Sequence, residues 1–260
     1  MNIFLTNFIM SVLLILPVSI QAKDEVNQVT TVSHQGNLIA QSKNPSLSFY
    51  SEVHTANAFL DKDKEKPIYT EKHTAAYRSG KIETSTNEYF NLNREKIAEL
   101  NSDYSKSLIM PTYIFRDFRT GFVEGLRWVD GRYFIFRQEK GKPEEQNLLD
   151  NRENVFSCQG WHYYLIANLE HIQKKPLQMK LIFPSKLDYY SFQIKLLDTE
   201  SNLMRLRLEF DNWFMRLFAP YLDLTYDKIA KKILQYYGPS NILDDRGEIQ
   251  NVYIFYESAG

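Results

Sequence analysis

One cysteine, Cys158, is all this 260-residue chain holds, so no internal disulfide can form. A catalytic thiol would need a partner base and an electropositive setting. His162 lies four residues on, but the simpler expectation is that Cys158 serves as a small buried hydrophobe. Glycine is scarce, at 10 residues. No Gly-rich phosphate loop, dinucleotide fingerprint or G-x-S-x-G elbow is present. The five histidines, His34, His54, His73, His162 and His171, form no H-x-H or H-E-x-x-H array, so no zinc site is expected. Charge of one sign is also missing. With 31 basic and 32 acidic residues the net charge is −1, and no basic stripe points to nucleic acid. These absences name no reaction. The expectation is a protein that is not an enzyme, with no metal, no cofactor and no catalytic residue to single out.

One apolar run stands out. Residues 1–22, MNIFLTNFIMSVLLILPVSIQA, carry no charged side chain, and the block Phe8 to Ile20 precedes Ala22 and the polar Lys23-Asp24-Glu25. An apolar core followed by a small residue is the layout of a secretory signal peptide. The alternative is an uncleaved anchor. A spanning helix needs roughly 20 apolar residues, and Asn7, Pro17, Ser19 and Gln21 interrupt this one. No cysteine follows the block, so no lipid-modified N-terminus is expected. The reading is export to the periplasm, release after cleavage, and no stable membrane span thereafter.

Residues 23–47 are polar, lack periodicity and read as a flexible leader. From 48 to 260 the chain reads as a single β-rich domain. Tyr and Phe, 17 of each, suit pleated, half-buried surfaces. Strands are expected at Leu47–Ala56, Lys66–Arg78 and Lys81–Leu92, with Ser79-Gly80 as a hairpin turn. The stretch Arg94–Ser107 stays open between helix and strand. Tyr113–Arg119, Phe122–Val129 and Arg132–Glu139 read as a meander, with Asp130-Gly131 as a tight turn. Lys140–Asn151 reads as a charged loop. Helical spacing of Trp161, Tyr164, Leu165, Ile166, Leu169 and Ile172 predicts a helix over Gly160–Ile172. Alternation then predicts strands at Leu177–Phe183, Tyr189–Leu197, Leu203–Phe210, Trp213–Phe218, Leu222–Tyr226, Lys232–Tyr237 and Val252–Tyr256. The expected architecture is mainly β: a curled antiparallel sheet or unclosed β-barrel of about ten to eleven strands, with one or two helices across the concave face. Arg116, Asp117 and Arg119 read as surface ion pairing near a rim, and Asp244 to Gly247 as a turn.

The C-terminal run carries a resemblance. It comprises Trp213-Phe214-Met215-Arg216-Leu217-Phe218, Leu222-Asp223-Leu224-Thr225-Tyr226-Asp227, Tyr237-Gly238-Pro239-Ser240-Asn241-Ile242, Asp244, Gly247 and Val252-Tyr253-Ile254-Phe255-Tyr256. Together with IAELNSDYSKSLIMP (97–111) and FRDFRTGFVEG (115–125), it resembles an uncharacterised family of Gram-negative exported proteins. That resemblance implies a fold similar to the periplasmic lipoprotein carriers, an unclosed barrel whose helices plug the mouth. It carries over no catalytic residue.

The functional expectation is a ligand groove for a lipid, acyl chain or lipoprotein. Its candidate lining is Trp161 and Leu165 on the helix, with Phe192, Ile194, Leu206, Leu208 and Leu224 on strands; the same residues could simply pack a core. An envelope scaffold that receives another protein is the alternative. A hydrolase whose site leaves no motif comes third.

Overall fold

The computed structural model describes residues 49–150 and 153–256. The signal and leader expectations, residues 1–47, lie outside the described residues. The described residues form one sheet of fifteen strands. Eight follow one another at first: β1 (Phe49–Phe59), β2 (Pro67–Arg78), β3 (Lys81–Phe90), β4 (Lys96–Asp103), β5 (Thr112–Asp117), β6 (Phe122–Val129), β7 (Arg132–Gln138) and β8 (Glu145–Leu148). The short β9 (Val155–Phe156) leads into helices α1 (Trp161–Ala167) and α2 (Leu169–Ile172). Then come β10 (Leu177–Phe183), a 3-10 turn at Pro184–Lys186, β11 (Asp188–Glu200), β12 (Leu203–Phe210) and helix α3 (Trp213–Arg216). Strands β13 (Leu222–Asp227), β14 (Lys232–Pro239) and β15 (Asn251–Tyr256) complete the sheet.

The strand order runs from β8 back to β1, then from β15 back to β9. Two meanders are thus joined where β1 pairs with β15, Ala56 opposite Tyr256. The two free edges, β8 and β9, are separated by only six residues of chain. Fifteen strands about 4.8 Å apart would make a flat sheet about 67 Å wide. Residues 149–154 reach at most about 25 Å. The sheet must therefore curl until its edges nearly meet. The seam left between them is bridged at one end by the 3-10 turn. Arg137 of β7 donates to the Ser185 carbonyl, and Asn147 of β8 donates to the Leu187 carbonyl at 3.0 Å.

Pairing is antiparallel except at β9–β10. A parallel pair needs a crossover connection, and here the crossover carries α1 and α2. Its side chains fill the inside of the curl. Trp161 and Leu165 are fully buried, and His162 shares a 2.6 Å hydrogen bond with Tyr226 of β13. Gly160 opens this segment because a Cβ there would overlap the Ile109 carbonyl. The crossover is further tied down by Ser157 N–H to Ile109 O (3.2 Å) and by Tyr104 Oη to Gln159 O (3.1 Å). The single helix expected over Gly160–Ile172 is two short ones. Asn168 breaks it, its side chain turned back to donate to the Tyr164 carbonyl at 2.8 Å.

The count of ten to eleven strands is too low, for local reasons. Arg94–Ser107 contains β4, whose inward Ala98, Leu100 and Ser102 alternate with Glu99 and Asn101. The charged stretch at Lys140–Asn151 contains β8, held by pairing to β7 though almost wholly exposed. The two-residue β9 exists only through its partner β10. Conversely Trp213–Phe218, expected as a strand, is α3 and a turn. The Asp130-Gly131 hairpin forms as read, with φ of 49° and 80°.

The two faces of the sheet differ. Inward positions form one large core, with members from Ala56 to Tyr256, and a smaller cluster of Ala75, Tyr77, Ile82 and Tyr104. Outward positions carry rows of paired charges. Lys96 lies 2.7 Å from Glu99 and 3.3 Å from Glu88, Arg207 meets Asp223 at 2.7 Å, and Lys195 meets Glu209 at 2.6 Å. A barrel that spans a bilayer carries an apolar band in that position. Among the described residues no helix is long and apolar enough to cross a membrane.

Candidate functional site

All seven groove candidates lie in one buried cluster. Trp161, Leu165, Phe192, Ile194, Leu206, Leu208 and Leu224 are each at most 5% exposed. The register explains the convergence: Phe192 pairs with Phe210, Ile194 with Leu208, and Leu206 with Leu224. Helix α1 fills the space over them. The structure therefore brings the seven together as packed wall and plug.

Across the inside, β2 and β3 present a polar group. Glu71 Oε2 lies 2.7 Å from His73 Nε2, and both residues are sealed. Asn87 and Tyr89 sit opposite them. His73 Nδ1 and both amide atoms of Asn87 lack a protein hydrogen bond of ordinary geometry. Neither Glu71 nor His73 lines the cavities described next. Cys158 is buried too. Its Sγ donates to the Ile182 carbonyl at 3.2 Å, and burial pushes the thiol pKa up. Among the described residues no three His, Cys, Asp or Glu side chains gather as a metal site.

The accessible features lie at the end of the curl opposite α1. There the β14–β15 connection, residues 240–250, crosses the mouth as a strap. Ser240 N–H donates to the Gln250 carbonyl (2.9 Å), and Gln250 Nε2 donates to the Ile242 carbonyl (2.9 Å). Asp244 Oδ1 accepts from the N–H groups of Arg246 and Glu248, at 2.9 and 2.8 Å, confirming the turn. Two residues anchor the strap to the sheet. Tyr69 Oη and Ser240 Oγ are 2.8 Å apart. Arg119 holds Asp117 bidentately (3.1 and 2.7 Å) and donates to the Leu243 carbonyl at 3.0 Å. Asp117 is buried, so the pair expected on the surface is instead a tie between the β5–β6 turn and the strap.

The strap divides the mouth into two cavities that share Leu243. One, of about 640 Å³, is lined largely by apolar groups, among them Leu60, Ile68, Leu92, Ile97, Phe118 and Ile242. The other, of about 460 Å³, opens toward the seam and has Phe122, Leu243 and Ile249 beside Arg137, Lys140 and Lys186, with Asp117 and Glu139 also in its lining. Ser185 also lines it, and its Oγ is buried without a hydrogen-bond partner. Burial and the neighbouring Arg137 guanidinium hold the Lys186 ammonium below its usual range. Both volumes fall in the ~300–1,000 Å³ span of small-molecule sites. Sequence reading missed this mouth because its parts come from six separate connections.

The fold and this mouth define a class: an open-seamed curled sheet, plugged at one end by its crossover helices and strapped at the other. No family model matches the chain, and no curated protein matches it. Among solved structures, a porin-like protein from Bacteroides uniformis ATCC 8492 matches at 13% identity, over 82% of this chain and 96% of that one, with a TM-score of 0.26. Nothing is carried over from a likeness of that size. What stands of the expected resemblance is the mainly β, curled sheet.

Proposed function

We propose that this protein binds an amphipathic ligand with an anionic head, such as a fatty acid or lysophospholipid, at the strapped mouth. The observation that carries the reading is the pairing of the two cavities across Leu243. One is lined mainly by apolar side chains, with charged Glu95, Lys96, Asp244 and Asp245 at its margin; the other has three cationic side chains and an unpartnered hydroxyl beside two carboxylates, Asp117 and Glu139, that are already held by Arg119 and Lys142. An acyl chain against Leu92, Phe118 and Ile242 would leave its head within the field of Arg137, Lys140 and Lys186. The groove residues expected from the sequence then act as the packed wall behind the site. The proposal includes the exported setting: a periplasmic carrier released after loss of residues 1–22.

Displacement of a fluorescent fatty acid from the full chain tests it. The expected result is saturable binding. It weakens at least tenfold in Leu92→Asp/Phe118→Asp, at two positions that are 65% and 49% exposed in the free protein, so that folding stays intact. Lys186→Ala weakens fatty-acid binding but not binding of an uncharged long-chain alcohol. Probe binding that is absent, or unchanged in these variants, overturns the reading and favours an envelope scaffold without a small ligand.

A further inference from the structure

Residues 211–221 join β12 to β13 at the same end as the strap. This connection presents four large apolar side chains to solvent: Trp213 is 68% exposed, Phe214 54%, Leu217 65% and Phe218 56%. The exposure is built, since the backbone beneath is held from several directions. Asn212 Oδ1 caps α3, accepting from the N–H groups of Phe214 (2.8 Å) and Met215 (3.3 Å). Arg216 donates to Glu209 at 2.9 Å and to the Asp211 carbonyl at 3.3 Å. Met215 and Ala219 turn inward onto the core. Phe214 and Phe218 meet edge to face at 5.2 Å, and Trp213 meets Phe214 at 6.0 Å. The four side chains thus form one contiguous tip on a small, fixed base.

We infer that this tip docks the protein onto the surface of a lipid bilayer, Trp213, Phe214, Leu217 and Phe218 entering the interface between headgroups and acyl chains. Area favours a bilayer over a protein. Aromatic side chains offer about 150–250 Å² each when fully exposed, so the tip presents on the order of 400 Å². A stable protein interface needs about 800 Å² from each partner. Trp and Phe are also the side chains that settle at a membrane–water interface. Charge further narrows the lipid. Arg216 and Lys195 are both spent on Glu209, and Arg207 is spent on Asp223. The cations that flank the tip are thus neutralised by carboxylates, so phosphatidylcholine suffices and salt has little effect. This inference stands apart from the ligand reading; docking is measured with no ligand added.

The tryptophans supply the test. Of the three, Trp161 is buried, Trp128 is half-buried and Trp213 alone is largely exposed. Phosphatidylcholine vesicles with brominated acyl chains, titrated into the full chain, are expected to quench a component of emission that Trp213→Phe removes. Leu217→Ser/Phe218→Ser is expected to need at least tenfold more lipid for the same quenching, with an unchanged melting temperature. The apolar run at residues 8–20 is common to all these chains and contains no tryptophan, so it cannot produce that component. Quenching equal in the chain and in Trp213→Phe overturns the inference. So does a lipid titration left unmoved by the double substitution, or a lipid-free dimer that the double substitution takes apart.

Discussion

His162 shows how burial changes one side chain. Four residues from Cys158, it invites comparison with a catalytic pair, yet its ring is turned to Tyr226 at 2.6 Å and Cys158 to the Ile182 carbonyl. Desolvation drives the His162 pKa from 6.5 down to about 3. The folded-state value lies below the unfolded one, so acid favours the unfolded chain. The stabilising contribution is whole above about pH 6.5 and lost as pH falls toward 3, by about 1.4 kcal/mol per unit. Urea unfolding of the chain and of His162→Phe, compared between pH 7 and pH 4.5, should therefore show the difference moving toward the variant as pH falls. Glu124, also buried, has its pKa raised by desolvation and acts with opposite sign, but it is common to both chains and cancels. A pH-independent difference would show that His162 is not sealed as described.

Two elements explain most of the distance between expectation and structure, α1 and α3. Both are rich in aromatics, and only their surroundings separate them. Trp161 enters the curl and is fully buried; Trp213 leaves it and is 68% exposed. Helical spacing made α1 legible, but its depth depends on Gly160 meeting the Ile109 carbonyl, a contact between residues 51 positions apart. Gly160→Ala is expected to lower stability by about 2–3 kcal/mol, because backbone cannot yield as a side-chain end does. An unchanged urea midpoint would mean that the crossover enters the sheet with slack. For β4 and β8, polar side chains on the outer face mask the strand in sequence. Both are strands because a neighbour supplies the hydrogen bonds.

For the molecule as a whole, the seam sets where the sheet is weakest. Strands β1, β2 and β15 have partners on both sides, whereas β8 is an exposed edge paired to β7 alone. Native-state hydrogen exchange should therefore be fastest, among the strands, at Glu145–Leu148 and slowest around Ala56 and Tyr69. Arg137→Ala, which removes the tie from β7 to the 3-10 turn, should speed exchange at β8 by tenfold or more while leaving β1 and β2 unchanged. Uniform protection across the sheet would contradict an open seam. The same edges bear on the ligand reading, since the cationic cavity sits at the bridged end of the seam.

By itself the sequence determined the β class, the main hairpins, the inward and outward faces of β10 to β12, and the helical stripe at Trp161. Each of these follows from local alternation and turn chemistry, which act over a few residues. Only the tertiary structure decided the number of strands, the pairing of β1 with β15, the seam, the strap across the mouth and the opposite fates of Trp161 and Trp213. These depend on contacts between distant segments. The short connection between β8 and β9 forces the curl, the curl makes a mouth and an inside, and a side chain's environment follows from which of the two it meets.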